Sequence, residues 1–170
     1  ARLMSLIILG LTAVGVWSSL ATVKAESPNL EVSFLDVGQG DATLIETVGG
    51  VKVLIDGGPN AGVLRELASE LELFDTEIDM DIGTHPDTDH IGGLVDVFER
   101  YEVGHVLMTE NEGDSPAALA YARAAEDEGA PITMARGGQL WQLDAGTTLE
   151  VLFPETNPSQ MESNASSIVM

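Results

Sequence analysis

Cysteine is absent from this chain of 170 residues. That excludes a small disulfide scaffold, a thiolate zinc finger and a cysteine nucleophile, because each needs sulfur. Basic residues are scarce: seven Lys and Arg stand against 28 Asp and Glu, for a net charge of −21. A simple basic nucleic-acid-binding module is excluded too, since phosphate recognition depends on Lys and Arg displacing counterions. Histidine occurs only three times. No internal repeat or low-complexity tract is present. What remains, 44% hydrophobic residues, is enough apolar material for one globular domain of ordinary size.

Charge is distributed unevenly. Every acid lies at or after Glu26, with only Lys52, Arg65, Arg100, Arg123 and Arg136 to offset them, so 28 acids meet five bases for a net −23. Before that, Leu3 to Val23 is a run of 21 residues without a charge, bounded by Arg2 and Lys24. As a helix it would extend roughly 30 Å, about one bilayer core. It is apolar on every face and nothing polar caps it, so residues 1–25 read as one apolar helix, a transmembrane or signal segment rather than a core helix. The expectation is a membrane contact through residues 3–23. The acidic body, residues 26–170, is then membrane-anchored outside the cytoplasm or secreted.

Within the body, hydrophobic alternation predicts three short strands over Leu30–Leu35, Ala42–Thr47 and Val51–Ile55, joined by glycine turns as an antiparallel meander. The period then lengthens. Val63, Leu64, Leu67, Leu71 and Phe74 recur at helical spacing and predict an amphipathic helix over Asn60–Leu73. Further helices are expected over Ile91–Tyr101 and Pro116–Glu128, the latter stopped by Gly129. Strands are expected over Asp79–Thr84, Gly104–Met108, Ile132–Met134, Gln139–Leu143 and Thr148–Phe153, and Ser166–Met170 starts another. A meander followed by alternation of strand and helix describes a layered α/β or α+β domain.

The chemistry-bearing window is Thr84-His85-Pro86-Asp87-Thr88-Asp89-His90-Ile91-Gly92-Gly93. Two of the three histidines and two aspartates fall within six residues, at the end of an expected strand, where a rigid scaffold presents ligands. Imidazole nitrogen with carboxylate oxygen suits zinc, manganese or iron, and alternating positions can serve two adjacent ions. The competing reading is an exposed turn made by Asp and Pro, and a calcium loop would gain little from histidine. Asp56, between the Val53–Ile55 strand and Gly57-Gly58-Pro59, can support such a site from behind or be a turn residue. The same choice stands at Asp36-Val37-Gly38-Gln39-Gly40-Asp41. His105, alone near a strand start, reads as structural.

Together, Phe34-Leu35-Asp36-Val37-Gly38-Gln39-Gly40-Asp41-Ala42, Leu54-Ile55-Asp56-Gly57-Gly58 and Thr84 through Gly93 resemble the metallo-β-lactamase superfamily. The branch they resemble is the C-terminal extracellular domain of ComEC-type DNA-internalisation competence proteins and its stand-alone relatives. Asn164-Ala165-Ser166-Ser167-Ile168-Val169 is similar to the same branch's entry into its next core strand. The resemblance implies an αββα sandwich over residues 26–170, incomplete at the C-terminus. It also implies one or two divalent ions, zinc or manganese. His85 and Asp87 would hold the first ion, Asp89 and His90 the second, in a His-x-Asp-x-Asp-His variant of the superfamily's His-x-His-x-Asp-His, with Asp56 as structural support. The superfamily's further ligands, a His, an Asp and a final His, have no counterpart before Met170, so about half of a site is expected here.

A complete site of this kind implies hydrolysis, with Asp89 holding or orienting the attacking water. For the ComEC-like branch the implied substrate is DNA, cleaved as a phosphodiester outside the membrane during uptake. The acidity opposes that, since a body at −23 repels a polyanion. A small ester or lactam is the alternative substrate, and a non-catalytic truncated fragment is the alternative of another class.

Overall fold

The computed structural model describes residues 29–170, so the apolar segment at residues 3–23 lies outside the described residues. Among the described residues no helix is long and apolar enough to cross a membrane.

The meander forms as the alternation predicts. Strands β1 (Glu31–Phe34), β2 (Thr43–Glu46) and β3 (Lys52–Ile55) pair antiparallel, with Leu44 opposite Leu54 and Ile45 opposite Val53. Beyond β3 the sheet turns parallel. It runs on through β5 (Met80–Gly83) and β7 (Val106–Met108) to β8 (Ile132–Met134), giving six strands in the order β1-β2-β3-β5-β7-β8. The crossovers between parallel strands carry the helices, as parallel pairing requires. These are α1 (Gly62–Glu70), the single turn α2 (Thr88–Ile91), α3 (Leu94–Arg100) and α4 (Pro116–Glu128).

Each face of the sheet builds its own core, because neighbouring strand residues point to opposite sides. Leu44, Leu54 and Val106 face the helices and pack with Val63, Leu67, Leu94, Val97 and Tyr121. Val53, Met80, Ile82 and Leu107 face the other way, under Leu149, Val151 and Ile168. That second layer is the antiparallel hairpin of β9 (Leu140–Gln142) and β10 (Thr148–Glu150), with the last residues of the chain. Helix, sheet and second sheet are thus three successive layers of the expected αββα sandwich. An outer helical layer is not among the described residues.

Several elements differ from expectation, each for a local reason. The helix expected over Ile91–Tyr101 is split, because the Gly93 N–H leaves the helical ladder for Gly58 O. α1 ends at Glu70, and Phe74, expected on its buried face, is exposed with φ 77°. There the buried Lys52 pairs with Asp75 and fixes the loop. The strand expected over Asp79–Thr84 forms over Met80–Gly83, and the Asp79 carboxylate just before it accepts the Lys52 N–H at 2.8 Å. Residues on either side of Asp79 join different sheets, β4 (Glu77–Ile78) pairing with β6 (Glu102–Val103). The strand expected to start at Ser166 does not form: residues 164–166 make a 3-10 turn, and Val169 keeps only a bridge to Phe153. α4 has the boundaries expected: Ser115 Oγ caps the Ala118 N–H at 3.1 Å, Pro116 opens the first turn, and Gly129 closes it at φ 76°.

Asp81 is the misfit in this core. It sits in register between Leu54 and Val106 on the helix-facing side, fully buried, and receives the Tyr121 hydroxyl at 2.8 Å. Its second oxygen has no partner. Burial pushes its pKa up to about 8, against a smaller opposing effect of the Tyr121 hydrogen bond. Between the ordinary value of 3.8 and about 8 the folded chain holds a proton that the unfolded chain has released, so stability falls as pH rises across that window. Asp81→Asn keeps the acceptor for Tyr121 and cannot ionise. Urea unfolding at a series of pH values is expected to show the wild type losing up to about 1.4 kcal/mol per pH unit there, and the variant staying flat. Parallel curves would contradict the burial argument.

Candidate metal centre

The centre lies at the carboxyl ends of two adjacent parallel strands, where open α/β sheets place their ligands. β3 and β5 pair with Ile55 beside Ile82, so Asp56 and Thr84, the residues just beyond, become neighbours. The Asp56 N–H donates to Ile82 O at 2.9 Å, extending the ladder by one bond. Asp56 then turns into the left-handed region at φ 59°, which Asp tolerates better than most side chains. That turn aims its carboxylate across the strand ends.

Asp56 is the hub. Its Oδ1 accepts the Thr84 N–H at 2.9 Å, and its Oδ2 accepts both the Thr84 hydroxyl at 2.7 Å and His90 Nδ1 at 2.8 Å. α2 carries His90 back over the strand ends, and the Gly57 N–H holds it there through His90 O at 2.7 Å. The Thr84 hydroxyl is also 2.9 Å from His85 Nδ1. Because the carboxylate only accepts, the single Thr84 proton goes to Asp56, and Thr84 Oγ1 must accept from His85 Nδ1–H. Both histidines therefore carry their proton on Nδ1. The lone pair of a neutral ring is on Nε2 in each case.

His85 Nε2 is buried with no hydrogen-bond partner, in a side chain only 4% exposed. An orphaned acceptor at that depth is costly unless a ligand meets it. The rings of His85 and His90 lie 4.0 Å apart, and one ligand atom each from Asp56, His85 and His90 falls within 4.8 Å of the others. Burial, and then the nearby His90, lower the pKa of His85, so its ring is neutral and ready to bind a cation. His90 is shifted upward, first by its hydrogen bond to Asp56. Imidazole Nε2 atoms fixed by hydrogen bonds at Nδ1 are the arrangement by which proteins orient metal ligands. The residues fit a divalent ion.

The sequence-predicted residues are placed unequally. His85, His90 and Asp56 meet. Asp87 Oδ2 is 3.6 Å from His85 Nε2 on a more exposed side chain, while Asp89 sits on α2 outside the compact group. Asp41, from the β1–β2 turn, comes within 3.9 Å of His90 Nε2. His105 is elsewhere, just before β7, bonded to Thr133 and edge-on to Trp141. Sequence reasoning assigned no role to Thr84, although a hydroxyl directly before the first histidine was in view.

Gly40 locks the turn onto this centre. It has φ +89°, and a Cβ there would lie 1.7 Å from the Asp89 carbonyl oxygen. Gly40→Ala is expected to cost at least about 2 kcal/mol from the strained backbone and the clash, and to weaken metal binding as α2 shifts. Thermal denaturation with and without zinc checks both.

The comparisons agree with this geometry. A family model of the metallo-beta-lactamase superfamily matches residues 35–157, most of the chain and every residue of the centre. The chain belongs to that superfamily. No curated protein matches it in sequence. Solved structures of the superfamily's fold are similar at low identity. A Cronobacter sakazakii metallo-beta-lactamase with an HARLDQ motif is 22% identical with a TM-score of 0.51, over 77% of this chain and 52% of that one. The chemotaxis sensor ODP, as a peroxy diiron species, is 16% identical with a TM-score of 0.52, over 75% and 51%. The metallo-beta-lactamase SMB-1 bound to 2-mercaptoethanesulfonate is 14% identical with a TM-score of 0.52, over 71% and 49%. The chain thus spans about half the length of these structures.

Proposed function

We propose that the chain carries the first half of a metal-dependent hydrolase centre, with His85 and His90 as nitrogen ligands. The carrying observation is the buried, unpartnered Nε2 of His85 beside a second imidazole whose Nδ1 is also engaged. Asp87 and Asp89 add the carboxylate oxygens that the motif implies, and Asp56 and Thr84 hold the rings. A bound zinc or manganese ion, or a pair, supplies Lewis acidity to the bond under attack and eases deprotonation of water. The protein's own part is to present Nε2 atoms, exclude water around His85, and orient the attacking water through Asp89. A small ester or lactam is the substrate class that the strongly acidic surface admits.

A second reading has a specific observation behind it: the three motifs resemble the ComEC-type branch, which implies DNA phosphodiester cleavage outside the membrane, with residues 3–23 as the anchor. Only five bases beyond Lys24 oppose the repulsion. The full chain, loaded with zinc or manganese, is to be assayed over a salt series against double- and single-stranded DNA and against p-nitrophenyl esters. Ester cleavage with no nuclease activity at any salt supports the first reading. Nuclease activity that grows as salt screens the surface establishes the second. Neither activity with metal bound would overturn hydrolysis for this chain.

A further inference from the structure

Beside the metal centre, between α4 and the parallel strands, is a cavity of about 170 Å³. It exists because α4 turns small residues toward β5, β7 and β8, where larger ones would fill the space. Ile91, Met108, Ala118, Tyr121, Ala122 and Met134 form apolar walls, and His85, nine-tenths buried and with Nε2 unpartnered, is part of the lining. Glu112 and Glu126 also line it and are exposed, which puts their carboxylates at the mouth. Among the described lining residues none is Lys or Arg.

We propose that this cavity is the subsite for a compact apolar group of a neutral or cationic substrate, held next to His85. The inference rests on the reading of His85 as a metal ligand and narrows the substrate class of that same centre. Size fits: an engineered apolar cavity of about 150 Å³ binds benzene, so a phenyl or branched alkyl group fills this one. Charge fits as well. A substrate with its apolar group inside extends past Glu112 and Glu126, where a cation is attracted and an anion repelled. A nucleic acid meets this entrance with two carboxylates and no counter-charge. His85 joins the two parts, forming one wall of the cavity while its ring belongs to the metal triad.

Benzamidine and benzoate test this, since they share a ring and differ in the sign of the head group. Titrating each into the full zinc-loaded chain, followed by calorimetry and by shifts of the Ala122 and Met134 methyl signals, is expected to show benzamidine binding. Benzoate should bind about tenfold more weakly or not at all. Ala122→Phe fills the cavity and is expected to abolish benzamidine binding with zinc stoichiometry unchanged. The double variant Glu112→Gln, Glu126→Gln leaves the walls intact and should equalise the two probes, which keeps the test open if Ala122→Phe fails to fold. Equal binding of both probes to the wild type, shifts at neither methyl, or a preference that survives the double variant would each overturn the subsite. Probe binding with neither ester nor DNA cleavage would leave the subsite standing and remove the hydrolase reading. Hydrolysis of a phenyl ester with a KM untouched by Ala122→Phe would do the reverse.

Discussion

Replacing Asp56 with asparagine is expected to weaken metal binding strongly while leaving the chain folded. Asparagine tolerates the left-handed backbone at φ 59° and can still accept the Thr84 N–H through its oxygen. What changes is the other arm. An amide nitrogen in the place of Oδ2 donates, so it turns the Thr84 hydroxyl around to face His85 Nδ1. His85 must then accept at Nδ1 and carry its proton on Nε2, the atom that should hold the ion. His90 Nδ1, facing the same amide, is driven to the same tautomer. One substitution thus reverses both rings. Affinity for zinc should fall at least about 100-fold, the upper end of what losing a partner behind one ligand costs. Competition against a chromophoric chelator measures it. Zinc affinity within a few-fold of the wild type would contradict the relay from Asp56 through Thr84.

Removing the ligands themselves should have the largest effect on binding and an unequal effect on stability. If about 10–16 kcal/mol of metal binding is shared among four ligands, each is worth about 3 kcal/mol, or more than 100-fold in affinity. His85→Ala and His90→Ala should each show that loss. Without metal they diverge. His85→Ala removes an orphaned buried nitrogen and leaves Thr84 still bonded to Asp56, so the apo chain should lose little beyond the space left behind. His90→Ala takes a charge-assisted bond from a buried carboxylate, and should cost the apo chain about 1–3 kcal/mol. Urea unfolding of the metal-free variants distinguishes them, and equal costs would contradict the assignment of Asp56 as the partner of His90.

Much of this architecture was legible because the signals were local. Alternation located β1 to β3, Pro116 and Gly129 set the limits of α4, and the density of His and Asp between Thr84 and Gly93 marked the ligand loop. Where tertiary contacts decide, the sequence was silent. Nothing local says that Gly93 bonds to Gly58 and splits a helix, or that Glu77–Ile78 and Met80–Gly83, on either side of Asp79, belong to two different sheets. Asp81 in an apolar strand looks like the solvent side of an alternating pattern, and only the helix above it and Tyr121 make it buried. Thr84 was invisible as a relay because its meaning depends on Asp56, 28 residues away. That Asp87 and Asp89 stay outside the compact group of Asp56, His85 and His90 has the same origin, since the group is assembled by Asp56, far away in sequence.

His85 and His90, each with its proton on Nδ1, present Nε2 to one divalent ion. Long-range nitrogen–proton correlation spectra of the uniformly labelled chain, recorded before and after one equivalent of zinc, address it atom by atom. The metal-free His85 is expected to have its proton on Nδ1, and zinc to move the Nε2 signals of His85 and His90 while both Nδ1 remain protonated. Zinc that leaves both Nε2 signals in place, or a metal-free His85 protonated on Nε2, would contradict it.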